Sequence, residues 1–207
     1  YDVAKTSPHG EAQRIAYAYA NSPLGPWTKG PVILDLGAPG QWDEGRVTEP
    51  HVYKDGDTYY LYYMGDLLPP YAQGEQVGVA TTPASNFPQG PWTKRGIMLP
   101  IYQNLTAWDR GLTADPAVIK VNDIFYMLYT GSTGDNNWKL GIAWAEHPLG
   151  PWRRPSQPTL LPGPAAWESV ALVRGMIVSL GGTFYLYYAG NDGTRLRSGV
   201  ALSGPLL

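Results

Sequence analysis

Residues 108–131 read WDRGLTADPAVIKVNDIFYMLYTG, and the chain contains this pattern three times. Upstream stands 42–65, WDEGRVTEPHVYKDGDTYYLYYMG; downstream stands 167–190, WESVALVRGMIVSLGGTFYLYYAG. Each copy runs 23 positions from its Trp to its closing Gly, with no gap needed. An acidic residue follows each Trp: Asp43, Asp109 and Glu168. Seven positions after the Trp stand Glu49, Asp115 and Arg174, followed by Pro50, Pro116 and Gly175. A self-similar period of about 60 residues is the mark of a propeller, solenoid or array, and it is read before any single segment.

Working outward, the stretches between the copies repeat as well. Residues 14–20, RIAYAYA, alternate in polarity and read as a strand, with a turn at 21–26 and a second strand at 27–34. The same pair recurs at 76–82 with Gly90-Pro91-Trp92, and at 139–145 with Gly150-Pro151-Trp152. A last echo is 197–202 with Gly204-Pro205. Each full unit thus has four short strands; in the middle unit they fall near 112–120, 124–130, 138–145 and 152–160. Residues 1–12 are polar and without period, and read as a loop. With 25 Gly and 20 Pro the chain is punctuated too often for long helices. Four short strands per unit joined by tight turns is the pattern of an all-β propeller blade. A β-sandwich would not explain the ungapped repeat.

Pro50 and Pro116 fall in the first strand of their units. Proline cannot donate to a ladder, so it belongs on edge strands, strand starts or bulges. The innermost strand of a blade is such an edge. Glu49-Pro50 and Asp115-Pro116 are therefore expected at the channel wall.

Composition narrows the partners. Of 207 residues, 43% are hydrophobic and 15% charged, enough for a core. A net charge of −2 gives no reason to expect nucleic acid or an anionic membrane. No apolar run approaches the roughly 18 residues of a membrane span. The absence of Cys removes disulfides and thiolate metal sites. His9, His51 and His147 are too scattered for a histidine metal cluster, so no metal or other cofactor is expected. The first ten residues do not form a signal peptide, and a start without Met points to missing upstream sequence. Localisation is left open, extracellular or periplasmic if the parent protein is secreted. The 8 Trp and 15 Tyr suit both stacking on sugar rings and an ordinary β core.

In a propeller, Glu49, Asp115 and Arg174 would converge on the funnel at one end of the axis. Inverting glycoside hydrolysis needs such convergence: one carboxyl protonates the leaving oxygen, the other activates water, about 6.5–9.5 Å apart. Arg174 would either lower the pKa of nearby acids and hold substrate, or pair with Glu168. Trp42, Trp108 and Trp167 form either a stacking rim for a sugar or blade packing. Asp43, Asp109 and Glu168 are further candidate acids, although their presence in every copy argues for a structural turn. The Gly-Pro-Trp triplets read as packing.

At these residues the chain resembles the glycoside hydrolase family 43 enzymes and their clan relatives. Those are five-bladed propellers that cleave arabinofuranosides, xylosides and related sugars by inversion. Ala114-Asp115-Pro116 followed by IFYMLYTG resembles the third-blade segment, whose Asp tunes the general acid and orients substrate. Glu49-Pro50-His51-Val52 with TYYLYYMG resembles a second-blade segment. The resemblance implies a carbohydrate ligand and allows a channel calcium ion. It places the general base on a first-blade Asp, which would precede Tyr1. It places the general acid near position 174, where this chain has Arg174. A second alignment takes Glu49 as the acid, because TEPHVYK resembles the acid-bearing segment. The first alignment is preferred, and it leaves the catalytic set incomplete.

The chain is thus expected to be a single propeller domain or fragment over 1–207. Its units are 42–107, 108–166 and 167–207, with half a unit at 1–41. About 3.5 blades leave both ends of the arc bare, and the chain is expected to complete itself through longer sequence or self-association. The alternatives to a hydrolase are a non-catalytic sugar-binding propeller and an assembly scaffold.

Overall fold

The computed structural model describes residues 1–7, 10–67, 74–101 and 104–203. Among these the chain is all β. The helical content is two single turns of three residues, Ala84–Asn86 and Ala166–Glu168. Four antiparallel sheets follow in chain order. The first holds β1 (Asp2–Ser7), β2 (Gly10–Tyr19) and β3 (Thr28–Leu34). The second holds β4 (Arg46–Asp55), β5 (Thr58–Asp66), β6 (Gln76–Pro83) and β7 (Thr93–Leu99). The third holds β8 (Leu112–Val121), β9 (Ile124–Ser132) and β10 (Lys139–Ala145). The fourth holds β11 (Ala171–Leu180), β12 (Thr183–Asn191) and β13 (Leu196–Ser203). This is a partial β-propeller. Its inner strands β4, β8 and β11 neighbour one another, and each is an edge of its sheet.

Two expectations are corrected. Residues 1–12 are not a loop: β1 pairs with β2 through Asp2↔Ile15. In the next unit Met64 pairs with Val77. Since Ile15 aligns with Val77 in the repeat, Asp2 stands where Met64 stands, and β1 is the second strand of its unit. Its polar composition hid it, because backbone pairing with β2 needs no apolar side chains. Residues 152–160 are not a continuous strand. Only the bridges Trp144↔Arg153 and Leu140↔Leu160 join them to β10. Pro151, Pro155 and Pro158 withhold the amides that a full ladder would use. The echo at Gly204-Pro205 lies outside the described residues.

Each unit is locked internally by the residues that made the repeat visible. Trp108 stacks on Tyr129 at 5.6 Å between ring centroids, Trp42 on Tyr63 at 5.5 Å, and Trp167 on Tyr188 at 5.8 Å. The tyrosine hydroxyls donate to the acids: Tyr63 to Asp43 at 2.9 Å, Tyr129 to Asp109 at 2.7 Å, and Tyr188 to Glu168 at 2.5 Å. From the outer edge of the sheet, Lys94 reaches Asp43 at 2.7 Å and Arg154 reaches Asp109 at 3.2 Å. The indoles lie against glycines of the second and third strands. A Cβ on Gly131 would meet Trp108 at 2.7 Å, and one on Gly141 would meet it at 2.6 Å.

Between sheets the core is apolar. Ile15, Leu34, Val47 and Leu61 join the first two sheets. Tyr62, Val79, Val118 and Met127 join the second and third. Ala117, Leu128, Leu140 and Leu172 join the third and fourth. One repeat position reports where packing stops: Tyr62 is 0% exposed and Leu128 1%, but Tyr187 is 50% exposed. The fourth sheet leaves one face bare, with Val178, Leu180 and Leu202 also exposed.

Gly131→Ala is expected to destabilise the protein by about 1–3 kcal/mol, because the methyl group must displace the Trp108 indole or the Asp109 Cβ. Urea unfolding followed by Trp fluorescence measures it, and an unchanged midpoint would remove the lock from the account of stability.

Candidate functional site

The inner strands share one irregularity. Pairing of β4 with β5 slips between Thr48 and His51, that of β8 with β9 between Ala114 and Ala117, and that of β11 with β12 between Val173 and Met176. In each case the inner strand carries one extra residue, a β-bulge. The bulged residues are Glu49, Asp115 and Arg174, with φ of 54°, 51° and 55°. Left-handed backbone at a non-glycine residue costs on the order of 1–3 kcal/mol and persists where the surroundings impose it. Here Pro50 and Pro116 cannot fill a ladder position, and the bulge turns the preceding side chain toward the axis.

The surroundings are one another. The Arg174 amide donates to Asp115 Oδ2 at 3.0 Å, and the Asp115 amide donates to Glu49 Oε2 at 2.9 Å. The Glu49 amide in turn donates to Asp2 Oδ1 at 3.2 Å. Each bulged residue thus gives its N–H to a carboxylate of the preceding unit. The Thr130 hydroxyl also donates to Asp115 Oδ2, at 2.7 Å. Asp2, Glu49, Asp115 and Arg174 line a cavity of about 530 Å³, together with Arg46, His51 and Glu75.

The structure therefore brings Glu49, Asp115 and Arg174 together. The tryptophans and the acids beside them are elsewhere. Trp42, Trp108 and Trp167 stack on tyrosines within the blades and are not among the residues lining this cavity, which favours the packing alternative over a rim. Asp43, Asp109 and Glu168 are buried in the tyrosine locks and do not line the cavity. Arg174 is not paired with Glu168: its guanidinium has no ion pair among the described residues.

Sequence reading missed Asp2, Arg46, Asp66 and Glu75. Arg46 hydrogen-bonds Asp66 through Nε at 2.9 Å and Glu75 through Nη2 at 3.1 Å. A signal existed. The units carry Leu112 and Ala171 at the place of Arg46, and Ser132 and Asn191 at the place of Asp66. A charged pair that breaks the repeat near the axis marks a task that the other blades do not share.

Burial is the main cause of the electrostatics. Loss of hydration, and then the charge of Asp115, push the Glu49 carboxyl up to about 8. Burial also raises Glu75, although Arg46 opposes it. His51 is held below its ordinary range by burial, and its Nε2 lies 3.0 Å from the Val118 carbonyl oxygen. Among the described residues no three His, Asp or Glu side chains stand together to hold a metal ion.

Comparison with known proteins gives the fold its relatives. No family model matches the chain. Alpha-L-arabinofuranosidase 43 of Humicola insolens is 26% identical over 129 residues, 61% of this chain and 24% of that protein. A thermostable family-43 glycoside hydrolase superposes with a TM-score of 0.70 at 20% identity, over 99% of this chain and 70% of that one. A family 117 glycoside hydrolase of the marine bacterium Zobellia galactanivorans gives 0.72 at 20% identity, over 92% and 52%. The fold is that of the family 43-type glycoside hydrolases. This chain spans only part of its relatives' length, and its first sheet has no inner strand among the described residues.

Glu49→Gln keeps an acceptor for the Asp115 amide and removes the titrating group. A carboxyl whose folded pKa lies above its unfolded value stabilises the fold at low pH, and that contribution fades as pH rises toward about 8. The variant is therefore expected to melt above the wild type at pH 8 and close to it at pH 4. Equal melting temperatures at both pH values would show that Glu49 ionises freely.

Proposed function

We propose that this chain forms the funnel of a glycoside hydrolase acting on arabinose- or xylose-containing glycans, with Glu49 as the proton donor. One observation carries the reading: Glu49 lines the cavity beside Asp115, where loss of hydration and the Asp115 charge push its carboxyl up to about 8. A general acid must hold its proton until the leaving oxygen develops charge, and a pKa near the working pH suits that task. Asp115 supports it from beside, held by Thr130 and by the Arg174 amide. This favours the alignment with Glu49 as acid over the one that places the acid at 174. The similarity to an arabinofuranosidase and to a family-43 hydrolase supports the choice of substrate class. The resemblance assigns the base to an inner strand of the first unit, a strand absent from the described residues.

A second reading has its own observation. Arg174 occupies the place where the resemblance puts the acid, which fits a funnel that binds sugar without cleaving it. Kinetics separate the two. If Glu49 is the acid, Glu49→Gln lowers kcat on arabino- or xylo-oligosaccharides about 10²–10⁴-fold and lowers it less on activated aryl glycosides. Wild-type turnover then falls as pH rises through about 8, where Glu49 loses its proton. Turnover unaffected by the substitution would remove Glu49 from the chemistry, and binding without turnover by the wild type would establish the second reading.

Self-association belongs to the same proposal. The bare face of the fourth sheet, with Leu180, Tyr187 and Leu202, fits a second copy that covers it. Sedimentation velocity is expected to show a dimer that Leu202→Glu weakens. A monomer at every concentration tried removes the association and leaves the funnel reading intact.

A further inference from the structure

Arg174 is the charged group of the funnel that the catalytic reading does not use. It is exposed, lines the cavity and sits at a left-handed bulge that fixes its backbone. Its amide is committed to Asp115 Oδ2, but its guanidinium has no partner among the described residues. Asp115, its neighbour through that amide, does not draw the guanidinium into an ion pair. The other arginine lining the cavity behaves differently, since Arg46 is bound to both Asp66 and Glu75.

The left-handed backbone of Arg174 is held by its amide bond to Asp115, but its guanidinium has no structural return in the described contacts. Its planar fork of donors matches a carboxylate through two parallel hydrogen bonds, a geometry that lysine cannot offer. We propose that Arg174 binds the carboxylate of a uronic acid unit, so that the funnel takes an acidic glycan in which a uronate lies next to the sugar presented to Glu49. The inference rests on the sugar-binding reading above and names a finer substrate class for it.

The surrounding acids shape this selectivity. Asp115 has its Oδ2 engaged by the Thr130 hydroxyl and the Arg174 amide, and Glu75 is paired with Arg46. Glu49 gives Oε2 to the Asp115 amide, and Asp2 gives Oδ1 to the Glu49 amide. Each of these carboxyls thus has a donor within the protein, and Arg174 brings the charged donors that lack a partner among the described residues.

Calorimetry on the full chain tests it with four probes: a xylo-oligosaccharide bearing a glucuronic acid branch, its methyl ester, the unbranched oligosaccharide, and a sulfated counterpart. The uronate is expected to bind at least about tenfold more tightly than its ester, as a charge-assisted bidentate pair should give. Arg174→Gln is expected to erase that preference, and Arg174→Lys to restore it only in part. Equal affinity for acid and ester, or a preference that survives Arg174→Gln, overturns the inference and leaves the funnel as a neutral-sugar site. Tighter binding of the sulfate than of the uronate overturns the carboxylate assignment. Binding of none of the four overturns this inference and the sugar-binding reading with it.

Discussion

The hydrogen bond from Tyr129 to Asp109, and its counterparts in the neighbouring units, is the contact on which the fold depends. An ionisable carboxyl 2% exposed would be costly if it lacked donors. Here it has the tyrosine hydroxyl from the second strand and, in two units, a cation from the outer edge of the sheet. The bond ties the loop entering the inner strand to the middle of the sheet. The tryptophan before the acid then closes over two glycines, where any side chain would collide with it. Position along the chain is thereby fixed for the next few residues, and the bulge falls in the same place each time.

From that fixed start, the site follows by geometry. The bulged residue turns inward with φ near +50°, and its amide must find an acceptor because the ladder no longer supplies one. The acceptor comes from the preceding unit, as the Asp115–Glu49 and Arg174–Asp115 contacts show. Adjacent blades are therefore joined at the axis by amide-to-carboxyl hydrogen bonds and further out by apolar packing. The strain of three left-handed residues is held in place by both.

Much of this was legible before the structure. The ungapped repeat gave the blades, and Pro50 and Pro116 located the inner edge. Glu49, Asp115 and Arg174 were grouped from register alone. What remained hidden has physical causes. The strand Asp2–Ser7 lacks apolar alternation in its sequence, and its pairing with β2 is what reveals it. The tryptophans and their acids repeat because every blade needs its lock, and repetition by itself does not separate packing from a binding rim. Arg46 is 20 or more positions from Asp66 and Glu75, and only the pairing of the second sheet brings the three within hydrogen-bonding reach.

The same comparison explains how the site can vary while the fold does not. At the bulge, the backbone is held by its own amide, by the residue that follows and by the lock seven positions earlier. None of these uses the bulged side chain itself. One backbone conformation therefore presents Glu49, Asp115 and Arg174 in successive units, two of them carboxyls and one a cation. Each unit's carboxylate is required by the next unit's amide, so an acid at one position favours order at the following one. Arg174 closes the described series and offers no such acceptor. Replacing an acid there costs the preceding units nothing, because their amides look backward along the chain. That is the position at which a change of charge, and with it a change of ligand, meets the least resistance from the scaffold.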